Sequence, residues 1–310
     1  MKKILLSIVA LCSSVCSFSQ GCDLPISIAY STEVENMPEA SQSYMTNKLR
    51  QVLTANGVTG DMDFSQFTLV PRYDIVDKHI VPGPPTKLVY NLSFTFTIIN
   101  TQDNTNMATM AMDMDAVGEN ENKAFISGIH QIGNNSQKID LFISNARKKI
   151  VAYYNKNYQR LIQKAKVLEG MNKYEEALYY VMSIPECCSG YTVAMKAALP
   201  IYQKNINREG EKLLIQARAI WAAGNNDEAA AGAAALLIEI DPSASCYGQA
   251  KALLNEMKAK ASKNEPWNFE LKKYSDSVSI EQQKISAAKA VGVAYGKGQK
   301  SQTTNLMFVR

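Results

Sequence analysis

The chain has 310 residues, 46% of them hydrophobic, with 33 basic and 29 acidic side chains for a net charge of +4. A balance so near neutral, with no basic stripe interleaved with aromatics, excludes nucleic acid as the expected partner. The length suffices for one large core or two ordinary ones, and the pattern of elements favours two.

Met1-Lys2-Lys3 is a basic n-region and Ile4 to Val15 an apolar h-region too short to span a bilayer, which predicts an export signal over residues 1–19. Ser17 and Ser19 supply the small residues for a cut before Gln20, and losing Lys2 and Lys3 lowers the net charge from +4 to +2. The alternative makes Cys22 the lipidated first residue of a lipoprotein, although Ser19 stands where the usual motif has Leu. Either way the protein is expected to be exported, periplasmic or associated with the outer membrane, and to reach a membrane only through an N-terminal lipid.

Residues 20–154 predict an α+β domain. Pro25 to Tyr30 alternates like a strand, and a helix follows from Asn36-Met37-Pro38, with Asn36 as the expected cap and Pro38 at the first helical position. Its stripe is Tyr44, Met45, Leu49, Val52 and Leu53, and Asn56-Gly57 supplies a left-handed stop. Phe67 to Val76 is expected as a strand before a loop around Val81 to Pro85. Val89 to Asn100 is the clearest strand, because Tyr90, Leu92, Phe94, Phe96 and Ile98 point one way while Asn91, Ser93, Thr95 and Thr97 point the other. Met107 to Val117 returns as its hairpin partner with Met110, Met112 and Met114 on one face. Helices over 121–132 and 137–154 then cover one side of a small sheet.

This layout resembles the periplasmic domain shared by the curli-secretion lipoprotein, the lipoprotein activators of penicillin-binding proteins and the N-terminal part of the TolB translocation protein. The carrying residues are the Phe67 to Asp74 strand, the Val89 to Asn100 strand with its Thr101-Gln102-Asp103 turn, and the entry into a helix through Gly118 to Ala124. The resemblance implies envelope assembly work through protein contacts, and it brings no catalytic residues with it.

Residues 155–262 predict an all-α domain. Leu161, Ala165 and Leu168 stripe one helix, and Tyr174, Ala177, Val181 and Ile184 the next. Leu213, Ala217 and Ile220 stripe a later helix that stops at Gly224-Asn225-Asn226. The helix after that carries Ala229, Ala233 and Leu236 up to Asp241-Pro242. Asn172 to Ala177 (NKYEEA) aligns with Gly224 to Ala229 (GNNDEA), and this order of small, aromatic and acidic residues resembles the tetratricopeptide repeat. The two matches lie 52 residues apart rather than the ~34 of a regular array, so a helix over about 191–204, kinked by Pro200, is expected between them. Ser243 to Ala261 closes the stack.

Repeat geometry implies an inner groove lined by Gln159 and Lys166 in the first match and by Leu214, Arg218 and Trp221 in the second. Two cations beside a flat aromatic suit an acidic or C-terminal peptide end. The plain alternative is that Trp221 is core and the cations are solvated.

Residues 263–298 predict a linker and a C-terminal helical arm, with Trp267, Leu271, Tyr274 and Val278 on one stripe and Ile285, Ala288 and Val291 on the next. Residues 299–310 read as a disordered tail. The arm either packs back on the chain or docks on a partner, another copy included.

No catalytic, cofactor or metal site is expected. His79 and His130 lie 51 positions apart outside any ligand spacing, and the calcium-like run from Asp113 has Val117 and Ala124 where oxygen ligands belong. Cys187 is expected to pair with Cys188, or one of these two with Cys246 across the stack, and no Cys-x-x-Cys is present. The combined expectation is an exported, non-catalytic binding or assembly scaffold with protein partners in the envelope.

Overall fold

A computed structural model describes residues 22, 24–30, 36–58, 65–134, 136–260, 270–273 and 279–298. The export signal, Trp267, Tyr274, Val278 and the tail 299–310 lie outside the described residues. An α+β region is followed by a long helical region, as the sequence predicts.

The sheet has the order β1 (Ile26–Ile28), β2 (Phe67–Val81), β3 (Lys87–Asn100) and β4 (Thr105–Gly118). Strand β1 runs parallel to β2 with Ile26 opposite Phe67, while β2, β3 and β4 form an antiparallel meander. The alternation read from the sequence is observed: Leu92, Phe94, Phe96 and Ile98 pair with Met114, Met112, Met110 and Ala108, and the first three pairs are buried. Strand β2 runs five residues further than predicted. Its last five residues, DKHIV, lack alternation, yet they pair with β3 out to Val81 opposite Lys87 beyond a bulge between Ile75 and Asp77.

Helix α1 (Glu39–Ala55) buries Met45, Leu49 and Leu53 as expected, with Gly57 in the left-handed conformation just beyond it. Its start differs from the prediction. Pro38 itself occupies the cap, where its carbonyl accepts from the Ser41 N–H at 2.8 Å, and no side chain caps the helix. Gly118 turns β4 into helix α2 (Glu121–His130) so tightly that a Cβ there would sit 2.2 Å from the Ala124 nitrogen. Asn120 caps α2 by accepting from the Lys123 N–H at 2.9 Å.

Helix α3 (Ser136–Gly170) is continuous over 35 residues, so the expected division at 154/155 falls inside one helix. It is followed by α4 (Tyr174–Met182) and α5 (Tyr191–Gly224). The predicted inserted helix around 191–204 and the one after it are one 34-residue element, about 50 Å long, with Pro200 inside it. Pro200 removes one N–H but leaves the tertiary packing of Ala198, Ile201 and Tyr202, all buried, and that packing holds the helix through it.

The hydrophobic core divides within α5 instead. A first cluster joins the sheet, α1 to α4 and α5 as far as Ile206; a second joins Leu214, Ala217 and Trp221 to α6 (Asp227–Leu237) and α7 (Tyr247–Lys260). The buried face here is Leu214, Ala217 and Trp221, one position round from the predicted Leu213, Ala217 and Ile220; Ile220 is exposed. Asn225 takes the left-handed conformation and Asn226 caps α6 by accepting from the Ala229 N–H at 2.9 Å, so the stop at Gly224-Asn225-Asn226 stands where expected.

The described part of the C-terminal arm packs in cis. Leu271 lies against the second core, and α8 (Ile280–Gly298) lies on α4 and α5 with Ala288 fully buried in the first. Close approach comes from Gly292, where a Cβ would meet the backbone of Leu178 and Tyr179 at 3.1–3.2 Å. Lys284 Nζ also donates to Gln203 Oε1 of α5 at 3.1 Å. Among the described residues, no helix is long and apolar enough to cross a membrane.

Candidate functional site

The predicted groove residues do not converge. Leu214 is 2% exposed and Trp221 7% exposed, both inside the second core. Trp221 Nε1 donates to Glu256 Oε1 at 3.2 Å, and Lys260 lies over its ring at 5.5 Å. The Lys260 ammonium and the indole N–H hold the Glu256 carboxyl below the usual range. Arg218 is exposed and donates to Gln249 Oε1 of α7 at 2.8 Å. Lys166 and Gln159 are exposed on α3, against the other core. The continuous α5 separates the two matches, so the helical offsets of a regular array do not carry over.

The cysteines also pair differently from the expectation. Cys22 is disulfide-bonded to Cys187, with Cα atoms 5.4 Å apart across 165 positions of sequence, while Cys188 and Cys246 are free and buried. Cys188 points into the first core, and Cys246 lies in the second against Gly210, which leaves neither within reach of the other. Sequence spacing gave no hint of this pair, because Cys22 reads as part of an export or lipidation signal. One sulfur cannot hold both a disulfide and a thioether lipid, so in this structure the Cys22 Sγ is taken. Arg147 adds a second tie by donating to the Cys22 carbonyl at 3.2 Å and the Asn56 carbonyl at 2.7 Å.

The disulfide closes one side of a cavity of about 450 Å³, within the size range of small-ligand pockets. Its walls come from parts of the chain far apart in sequence. Cys22 and Pro25 precede β1, Ser65 and Gln66 precede β2, and Ser183 to Cys187 link α4 to α5. Tyr154, Tyr179 and Tyr191 supply aromatic surface from α3, α4 and α5, and α8 contributes Ile285, Lys289, Gly292 and Val293. No periodicity reports such a site, since it is set by the disulfide and by the docking of α8.

Burial shapes the chemistry of the walls. Desolvation raises the hydroxyls of the lining residues Tyr154 and Tyr179 well above the ordinary tyrosine range, and in the core beside the cavity it pushes the Cys188 thiol up to about 11. All three therefore stay protonated at neutral pH. Gln66 is 3% exposed; its Nε2 donates to Tyr153 Oη at 2.8 Å and Asn100 Oδ1 at 3.1 Å. Gln66 Oε1 and Asn100 Nδ2 have no hydrogen-bond partner. Glu186 and Lys289, the two charged residues of the lining, are exposed and form no ion pair among the described residues. Among the described residues no group of three or more His, Cys, Asp or Glu side chains could hold a metal ion.

No family model matches the chain, and no curated protein does. A solved structure to which it is similar is a minor lipoprotein from Acinetobacter baumannii, at 16% identity and a TM-score of 0.22, covering 41% of this chain and 87% of that one. Overlap at that level leaves the function to be argued from the residues.

Proposed function

We propose that this chain is an exported, non-catalytic scaffold of the cell envelope that binds protein through the cavity closed by Cys22–Cys187 and α8. The observation that carries the reading is the cavity itself: widely separated segments, a disulfide and a cis-docked helix converge to build one concave, mainly apolar surface. A disulfide between an N-terminal residue and a distant loop suits an oxidising, extracytoplasmic compartment. The wall hydroxyls of Tyr154 and Tyr179, held protonated at neutral pH, suit contact and hydrogen bonding better than proton transfer.

The tetratricopeptide-like hairpins, α3 with α4 and α5 with α6, are consistent with a binding role, and so is the N-terminal layout that resembles envelope-assembly domains. The rival reading as a self-assembling subunit takes the C-terminal arm as its joining element; α8, the described helix of that arm, lies on α4 and α5, which supports the binding reading over it. A photo-crosslinking residue at position 289, on the cavity rim, and another at Ile215, exposed on α5, test the proposal in the native host. An envelope-protein adduct from position 289 alone is expected. Adducts from both positions equally, or from neither, contradict it.

A further inference from the structure

We propose that the cavity takes a short apolar peptide with both ends free, its ammonium group against Glu186 and its carboxylate against Lys289. This rests on the binding reading above and adds the chemical class of what is bound.

The interior of the cavity is apolar, with Met182, Ile184, Met195, Ile285 and Val293 in its walls, which suits hydrocarbon side chains. The lining carries one acid and one base, Glu186 and Lys289. Among the described residues neither forms an ion pair, with the other or elsewhere, and Glu186 adds to the burial that raises the Tyr191 hydroxyl. Two opposite charges held apart over an apolar floor complement a zwitterion with an apolar body.

A fatty carboxylate would satisfy Lys289 alone and leave Glu186 without a cation, so the two charges favour a peptide with both ends free over an acyl chain.

Calorimetric titration of the full mature chain with trileucine, its N-acetyl form, its C-amide, the doubly blocked peptide and dodecanoate tests this. Trileucine is expected to bind, and blocking either end to weaken it by about three- to tenfold, the range for partly exposed charge-assisted contacts. Glu186→Gln should weaken trileucine without weakening the N-acetyl form further, and Lys289→Gln should do the same with respect to the amide. Both side chains are exposed and unpaired, so an unchanged urea midpoint confirms that the variants fold. Equal binding of the doubly blocked peptide, tighter binding of dodecanoate, or no effect of either variant would overturn the assignment. No peptide binding alongside a persistent adduct from position 289 overturns the ligand class and leaves the scaffold reading standing; loss of both removes both.

Discussion

Cys22 and Cys187 are 165 positions apart in the chain, and their disulfide brings their Cα atoms to 5.4 Å, tying the segment ahead of β1 to the loop between α4 and α5. So long a closed loop restricts the unfolded chain strongly. Replacing both cysteines with serine is expected to lower the unfolding free energy by about 2–5 kcal/mol. Urea denaturation of the variant against the oxidised parent measures this, and equal stability would show that the bond does not form.

The second core gives a contrast between neighbours on one helix. Leu214 is buried and Arg218 exposed, so Leu214→Ala should cost about 2–5 kcal/mol. Arg218→Ala and Lys166→Ala should each stay within about 0.5 kcal/mol, because neither surface side chain holds a core or a buried network. Comparable losses for all three would restore the groove that the fold dismantles.

Much of the fold was legible wherever a side-chain period met a buried surface on one side. The Tyr90 to Ile98 alternation, the Met110 to Met114 return and the Tyr174 to Ile184 stripe all lie where the sequence puts them. Three features were not legible. The second-core stripe rotates by one position because alanines flank it and the helix offers apolar residues on two adjacent faces. The division at 154/155 vanishes because nothing between Ser136 and Gly170 breaks a helix. The cavity depends on a disulfide and on α8 returning to α4, and long-range closure leaves no local signal.

Gly292 sets how closely α8 docks. A side chain there would press on the Leu178 and Tyr179 backbone, which cannot give way as a flexible side chain would. Gly292→Val is therefore expected to cost about 1–3 kcal/mol by overpacking. Hydrogen exchange should speed up across 280–298 while β3 and β4 remain protected. Unchanged protection of α8 would show that the contact is looser than the geometry indicates.

Alkaline pH should destabilise the protein through its buried hydroxyls. The folded pKa of Tyr154 lies above the unfolded value of 10.0, so its contribution is full below pH 10.0 and is lost as pH rises, because the unfolded chain releases the proton first. The slope is about 1.4 kcal/mol per pH unit for each such group. Tyr154→Phe should make the decline above pH 10.0 shallower by about that amount, read from urea midpoints at a series of pH values. The Cys188 thiol, raised from 9.0 to about 11, adds a smaller decline that begins near pH 9.0.

The clasp is what makes the cavity, so its chemistry is the most direct point of attack. Non-reducing peptide mapping with intact mass, on protein purified from its native host, decides between a bridged and a lipidated Cys22. The predicted result is one linked peptide pair containing Cys22 and Cys187, free thiols at Cys188 and Cys246, and no acyl mass. Acyl mass on Cys22, or a bridge from Cys187 to Cys188 or Cys246, would contradict it.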